Sequence, residues 1–161
     1  MKTAEDILVI LQNRLPDIEL ALESGESGQP WIKVPADNIK DVSKILRDDE
    51  ELRFDTLMCL SGLHYPAEEE LGVAYHIHST SLKHTLALKV RVPEEDPVIP
   101  SIEMIWKTAD WHEREAYDMV GIRFSDHPDL RRILCPDDWE GFPLRKDYTP
   151  QEFYRGVSTG E

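Results

Sequence analysis

Three successive runs in the middle of the chain carry strand patterning with little between them. LRFDTLMCLSGLHY (52–65) has a continuous apolar centre. LGVAYHIHST (71–80) alternates Val73, Tyr75 and Ile77 against Ala74, His76 and His78. LKHTLALKVRVP (82–93) sets Leu86, Leu88 and Val90 on one side. Alternation at period two is the mark of a strand with one buried face. Connections this short favour an antiparallel meander, because parallel neighbours need a long crossover. Such a sheet has one apolar face that other elements must cover.

The residues before it supply the cover. Ala4, Ile7, Leu8 and Leu11 lie at helical spacing, Thr3 with Asp6 makes an acidic helix start, and Pro16 stops the helix. Ile18, Leu20 and Leu22 then alternate with polar or small residues, SGESGQP is a turn cluster, and PWIKVPA reads as the returning strand of a hairpin. Asp37 is placed to cap a second helix over about Ile39 to Asp48, with Ile39, Val42, Ile45 and Leu46 on one face. Residues 1–100 therefore read as an α+β domain, an antiparallel sheet with helices on one face in the ferredoxin-like manner.

The pattern changes at Pro93. PEEDPVIPS reads as a loop leaving the sheet, and a short helix is expected over about Asp110 to Met119. Asp110 is in position to accept from first-turn amides with Glu113 answering three residues later. Arg114 is four residues from both Asp110 and Asp118, and Gly121 is placed as a left-handed cap. The following 40 residues show little regular patterning. A loop of that length inside a compact domain is unusual. Residues 101–161 thus read as a short helix and an extended, irregular arm that packs on another protein.

Charge and composition exclude several classes. The chain has 161 residues and a net charge of −14, which opposes nucleic-acid binding and docking on anionic lipid. Eight of the 18 basic residues follow Pro100, so the arm is less one-sided than the front and suited to a protein partner. No apolar run approaches the roughly 18–20 residues that span a bilayer. No secretory signal is evident at the N-terminus, so a cytoplasmic location is expected, with membrane contact only through partners. Cys59 and Cys135 lie far apart with no nearby Cys or His. An iron–sulfur cluster, which takes four closely spaced thiolates, is not expected in this chain. The two thiols read as a buried strand residue and a loop residue.

The segment from Trp106 to Tyr148 carries a resemblance. It contains Ala109-Asp110-Trp111, Glu113-Arg114-Glu115, Tyr117-Asp118, Gly121-Ile122, His127-Pro128, Arg131-Arg132-Ile133-Leu134, Asp138-Trp139 and Pro143-Leu144-Arg145-Lys146-Asp147-Tyr148. This array closely resembles the 30 kDa-type subunit of NADH:quinone oxidoreductase, the respiratory complex I or NDH-1 family. Weaker likeness runs back to about Asp37.

The resemblance implies a non-catalytic peripheral-arm subunit of a proton-translocating, quinone-reducing complex. Such a protein carries no cofactor, the flavin and iron–sulfur clusters belonging to its partners. It stabilises the quinone-site subunit, called D, and meets neighbouring iron–sulfur subunits on the cytoplasmic side of the inner membrane. On that reading Asp110, Trp111, Glu113, Arg114, Glu115, Tyr117, Asp118, His127, Arg131, Arg132, Asp138, Trp139, Arg145, Lys146 and Asp147 form the interface and structural motif. Their chemistry suits it: Trp and Arg are enriched at interface centres, and guanidinium groups pair bidentately with carboxylates. Thr149 separates Tyr148 from Pro150, unlike many bacterial members. The ending resembles the photosynthetic branch, whose complex takes electrons from ferredoxin. The equivalent subunit of a ferredoxin-driven complex or of a membrane-bound hydrogenase is therefore the alternative.

Sharper chemical readings are weaker. HEREA (112–116) has Ala116 where a zinc-protease helix needs its second His. His76, His78 and His84 could hold zinc, but no acidic or Cys ligand is fixed nearby, and scattered surface imidazoles are expected. Glu113 and Glu115 are two apart on a helix and point away from each other, so no paired acid–base function follows. His127, before Pro128, reads as a hydrogen-bonded residue of the arm, although a proton-relay role is conceivable.

Overall fold

The structure, a computed structural model, describes residues 1–25 and 28–159. It opens with α1 (Ala4–Arg14), whose Thr3 hydroxyl accepts from the Asp6 amide while the Asp6 carboxylate accepts from the Thr3 amide. This reciprocal cap satisfies two amides that the helix cannot, at the acidic start expected from the sequence. Two short strands follow, β1 (Ala21–Ser24) and β2 (Pro30–Lys33), paired antiparallel with Leu22 opposite Ile32. The expected hairpin forms, although part of its turn, Glu26 and Ser27, lies outside the described residues.

A tight 3-10 turn at Ala36–Asn38 runs into α2 (Ile39–Asp48). Asp37 sits within that turn and is not the cap. The residue at the helix boundary is Asn38, which makes no side-chain cap, and the Asn38 and Ile39 amides are already satisfied by Pro35 and Ala36 carbonyls.

The three patterned runs become β3 (Thr56–Tyr65), β4 (Glu70–His78) and β5 (Thr85–Pro93), an antiparallel meander. The continuous apolar centre of β3 has a physical origin. The register slips between Leu57 and Cys59, so Met58 is an extra, largely exposed residue. The bulge lets Leu57 and Leu60, three apart, both reach the buried side.

The hairpin and the meander join through one parallel seam, Ile32 beside Leu88. The sheet order is therefore β1-β2-β5-β4-β3, mostly antiparallel. Leu71, Val73, Tyr75 and Ile77 of β4 form the centre of the buried face. Ile7 and Leu11 of α1 and Ile39, Val42 and Leu46 of α2 belong to the same apolar cluster. This is the expected α+β architecture.

Beyond β5 the chain makes β6 (Val98–Pro100), α3 (Ala109–Val120) and β7 (Arg123–Ser125), with β6 and β7 pairing in parallel. The segments read as loop and arm thus contain short strands that their composition hid. Ile99, Ile102, Trp106, Ala109, Ala116, Val120 and Phe124 join the same core cluster, so apolar packing continues across Pro100. Gly62 of β3 lets α3 sit close: a Cβ there would lie 2.9 Å from Val120 Cγ2. Residues 126–152 form no helix or strand, and the described chain ends in a small hairpin of β8 (Phe153–Tyr154) and β9 (Val157–Ser158). No helix among the described residues is long and apolar enough to cross a membrane.

Candidate functional site

The motif residues gather around α3 and the arm that returns over it. The helix begins differently from the sequence reading. Turns between Ile102 and Trp106 lead into it, and Trp106 and Lys107 carbonyls take the Ala109 and Asp110 amides. The boundary residue is Thr108, with no side-chain cap, and Asp110 lies inside the first turn. Glu113 therefore makes no capping box. It points back to the preceding segment, where Oε2 accepts from the Ser101 hydroxyl at 2.6 Å and Oε1 from the Ile102 amide at 2.8 Å.

At the other end, Gly121 is the left-handed cap expected, with φ of +88°. The α3 carbonyls left open there are taken by the arm. Met119 O accepts from the Leu144 amide at 2.9 Å and Val120 O from Arg145 Nε at 2.7 Å. Arg145 Nη1 continues to Glu94 Oε1 at 2.8 Å. One side chain thus joins helix, arm and the loop after β5, in the forked geometry that guanidinium allows.

Asp118 is the main anchor. Its side chain is fully buried and its Oδ1 accepts from Arg132 Nη1 at 2.7 Å. Its Oδ2 accepts three successive arm amides, Ile133 at 3.0 Å, Leu134 at 2.7 Å and Cys135 at 2.8 Å. Burial pushes the carboxyl up. The Cys135, Leu134 and Ile133 amides and the Arg132 guanidinium outweigh it and hold it below the usual carboxylate range. Arg132 Nη2 donates to the Trp139 and Gly141 carbonyls, both at 3.0 Å.

Arg114 pairs with neither Asp110 nor Asp118. Its guanidinium donates to the Arg131 and Arg132 carbonyls at 3.3 Å and lies 5.5 Å from the Trp111 ring centre. The arm's own backbone has displaced the helical ion pairs that spacing alone favours.

The rest of the motif divides by exposure. Trp139 Nε1 donates to Tyr148 Oη at 3.1 Å and stacks obliquely on Tyr154. Asp138 accepts from Tyr154 Oη and pairs with Arg155. Tyr117 is half-buried. Trp111, 62% exposed, and the exposed Glu115, Arg131, Lys146 and Asp147 face outward, Arg131 engaging Asp129 at 2.8 Å. Glu113 and Glu115 do point apart, one buried and one exposed.

Sequence reasoning missed His64, whose enclosed ring accepts from the Lys146 amide at 2.9 Å through Nδ1 and turns Nε2 toward Glu94 at 3.4 Å. It also missed Phe142, whose ring closes over Gly121. Neither has a local signal, since their partners lie far off in sequence.

The histidines of the sheet do not converge. His76 and His78 lie on the sheet face away from the core, whereas His84 is buried, with Nε2 2.6 Å from Leu52 O. No group of three or more His, Cys, Asp or Glu side chains placed to hold a metal ion occurs among the described residues. Cys59 and Cys135 are free and half-buried; the strand thiol is less enclosed than expected.

The family model described as respiratory-chain NADH dehydrogenase, 30 Kd subunit, matches residues 32–154. The chain belongs to this family. The NADH-quinone oxidoreductase C-subunit of Chlorobium phaeobacteroides (strain DSM 266 / SMG 266 / 2430) is 48% identical over 150 residues, covering 92% of this chain and 90% of the relative. That of Chloroherpeton thalassium (strain ATCC 35110 / GB-78) is 57% identical over 117 residues, 72% of this chain and 48% of the relative. Among solved structures, the trypsin-resistant fragment (1-134) of Nqo5 matches with a TM-score of 0.62 at 28% identity, over 78% of this chain and 98% of that one. A chain of the membrane-bound sulfane sulfur reductase, an archaeal respiratory membrane complex, matches with a TM-score of 0.74 at 24% identity, over 92% of this chain and 86% of that one. This last likeness is one of fold. The 30 kDa family match takes in the arm as well as the sheet, since its range includes every motif residue from Asp110 to Asp147.

Proposed function

We propose that the chain is a non-catalytic, structural subunit of the peripheral arm of a proton-translocating NADH-quinone oxidoreductase. It stabilises the quinone-site subunit and meets the neighbouring iron–sulfur subunits. The observation that carries this reading is the family match across residues 32–154. The geometry supports it: Asp118, Arg132 and Arg145 are spent on holding the arm in one shape, while Trp111, Glu115, Lys146 and Asp147 stay outward. An arm held this rigidly presents a preformed surface, which lowers the entropy cost of association.

On this reading, residues 101–161 are the partner-facing part. The flavin and clusters are held by other subunits, and the chain lies on the cytoplasmic side of the membrane, attached through its partners. The electron donor is set by those partners.

A mild-detergent pulldown from native membranes, with an N-terminal tag and mass spectrometry, tests it. Recovery of a quinone-site subunit, iron–sulfur subunits and antiporter-like membrane subunits is the expected result. Recovery of the chain alone overturns it. Recovery with nickel-hydrogenase subunits would move the assignment to the alternative complex.

A further inference from the structure

One enclosed polar cluster lies apart from the Asp118 and Arg145 anchors of the arm. It lies where β4, the connection after β6, α3 and the turn after β7 meet. Glu113 contributes a carboxylate with no exposed side-chain surface, and the equally enclosed His127 ring sets Nε2 3.8 Å from Glu113 Oε2 and 3.3 Å from Asp110 Oδ1. His127 Nδ1 accepts from the Asp129 amide at 3.1 Å, so in the neutral ring the proton is on Nε2, which donates to the Asp110 main-chain carbonyl at 3.2 Å with the two carboxylates beside it. Tyr75, fully buried on β4, has a hydroxyl without a hydrogen-bond partner and lies within the field of Glu113.

We propose that Glu113, Asp110 and His127 form an internal proton-binding site, whose occupancy is coupled to the seating of the His127–Pro128 turn on α3.

The argument is one of charge. The groups facing Glu113 are Ser101, the Ile102 amide and Glu103 from the connection, Asp110 from its own helix, His127 from the turn and Tyr75 from the sheet. Of the nearby cations, Lys107 is exposed and engaged with Glu103, and the Arg114 guanidinium is spent on arm carbonyls. Among the described residues, His127 is the imidazole that lies beside both carboxylates. With the imidazole neutral and both acids ionised, the fully buried Glu113 charge would lie near that of Asp110, whose side chain is 35% exposed, and burial of the Glu113 charge is the larger cost. A proton on the Glu113 carboxyl relieves this. Burial, and then the charges of Glu103 and Asp110, push the Glu113 carboxyl up to about 7, against the bonds from Ser101 and Ile102. The turn is coupled because the ring that faces the carboxylates also accepts the Asp129 amide.

The test uses the full chain with carbon-13 at the carboxyl positions, followed by NMR from about pH 5 to pH 9. One glutamate carboxyl should titrate with a midpoint near 7, with the His127 ring carbons and the Asp129 amide moving in the same step. Glu113→Gln should remove that step. His127→Gln should shift the carboxyl midpoint upward, since the imidazole that lies 3.8 Å from Glu113 Oε2 is gone. If Glu113→Gln does not fold, the wild-type and His127→Gln titrations still decide. Glutamate carboxyls that all titrate in the ordinary acidic range overturn the proposal. So does a midpoint unmoved by His127→Gln, or an Asp129 amide that ignores the step.

Discussion

Arg132 reaches back across 14 residues to place its guanidinium 2.7 Å from the Asp118 carboxylate, and the same carboxylate collects the three amides that follow Arg132. The pair turns an irregular segment into a fixed one. Breaking a buried pair leaves a charge without compensation, typically at about 3–5 kcal/mol, and an Asn in place of Asp retains some of the amide contacts. Asp118→Asn should therefore destabilise the isolated chain by about 2–4 kcal/mol. Hydrogen exchange at 133–135 should rise in parallel. Arg132→Lys should not be a mild change, because an ammonium cannot serve Asp118 and the Trp139 and Gly141 carbonyls together. Urea unfolding checks both; a wild-type midpoint in Asp118→Asn would refute the anchor.

Gly121 and Phe142 form a second joint. A Cβ on Gly121 would meet the Phe142 ring at 2.7 Å, at a φ of +88° that side chains rarely adopt. Gly121→Ala should cost about 1–2 kcal/mol for the left-handed backbone and about 1–3 kcal/mol for overpacking. Phe142→Ala removes the second part only. The double variant should then be less destabilised than the two single changes added together, as a double-mutant cycle would measure. Strict additivity would mean that the ring gives way freely.

Much of this was legible locally and little of it at a distance. Alternation of Val73, Tyr75 and Ile77 revealed β4, Thr3 with Asp6 marked the start of α1, and Gly121 marked the end of α3, because each signal spans a few residues. The bulge at Met58 and the Ile32–Leu88 seam are set by tertiary packing, so pattern alone could not place them. The hydrogen-bond partners expected of the α3 residues were misread. Spacing offered Arg114 an ion pair with Asp110 or Asp118, whereas the arm presented carbonyls to Arg114 and a guanidinium to Asp118. His64 and Lys146, 82 residues apart, show the same limit.

The raised Glu113 carboxyl has a consequence for stability. Its folded value is about 7 against an ordinary 4.5, so between those values the folded chain binds more proton than the unfolded one. This contribution is present in full below about 4.5 and is lost as the pH rises through about 7, with a total of about 3 kcal/mol. Asp118, held low, acts in the opposite sense: its contribution is present above the usual carboxylate range and lost as the pH falls. Urea unfolding at about pH 5 and about pH 8 should show the chain less stable at the higher value, with the difference reduced in Glu113→Gln. An equal difference in both proteins would assign the slope to other groups.

Trp111 separates holding the arm from meeting a partner. Its ring is 62% exposed on α3, and the nearby Arg114 guanidinium keeps its own bonds to arm carbonyls. Trp111→Ala should change the stability of the isolated chain by no more than about 0.5 kcal/mol, as exposed substitutions do. If the proposed assembly is right, the same variant should weaken capture of partner subunits by about 2 kcal/mol, about 30-fold in affinity, the scale of an aromatic anchor. The two measurements are unfolding of the purified chain and recovery of partners by tagged pulldown. Loss of stability with unchanged recovery would make Trp111 part of its own domain's structure. Unchanged stability with lost recovery would place the partner on the outward face of α3.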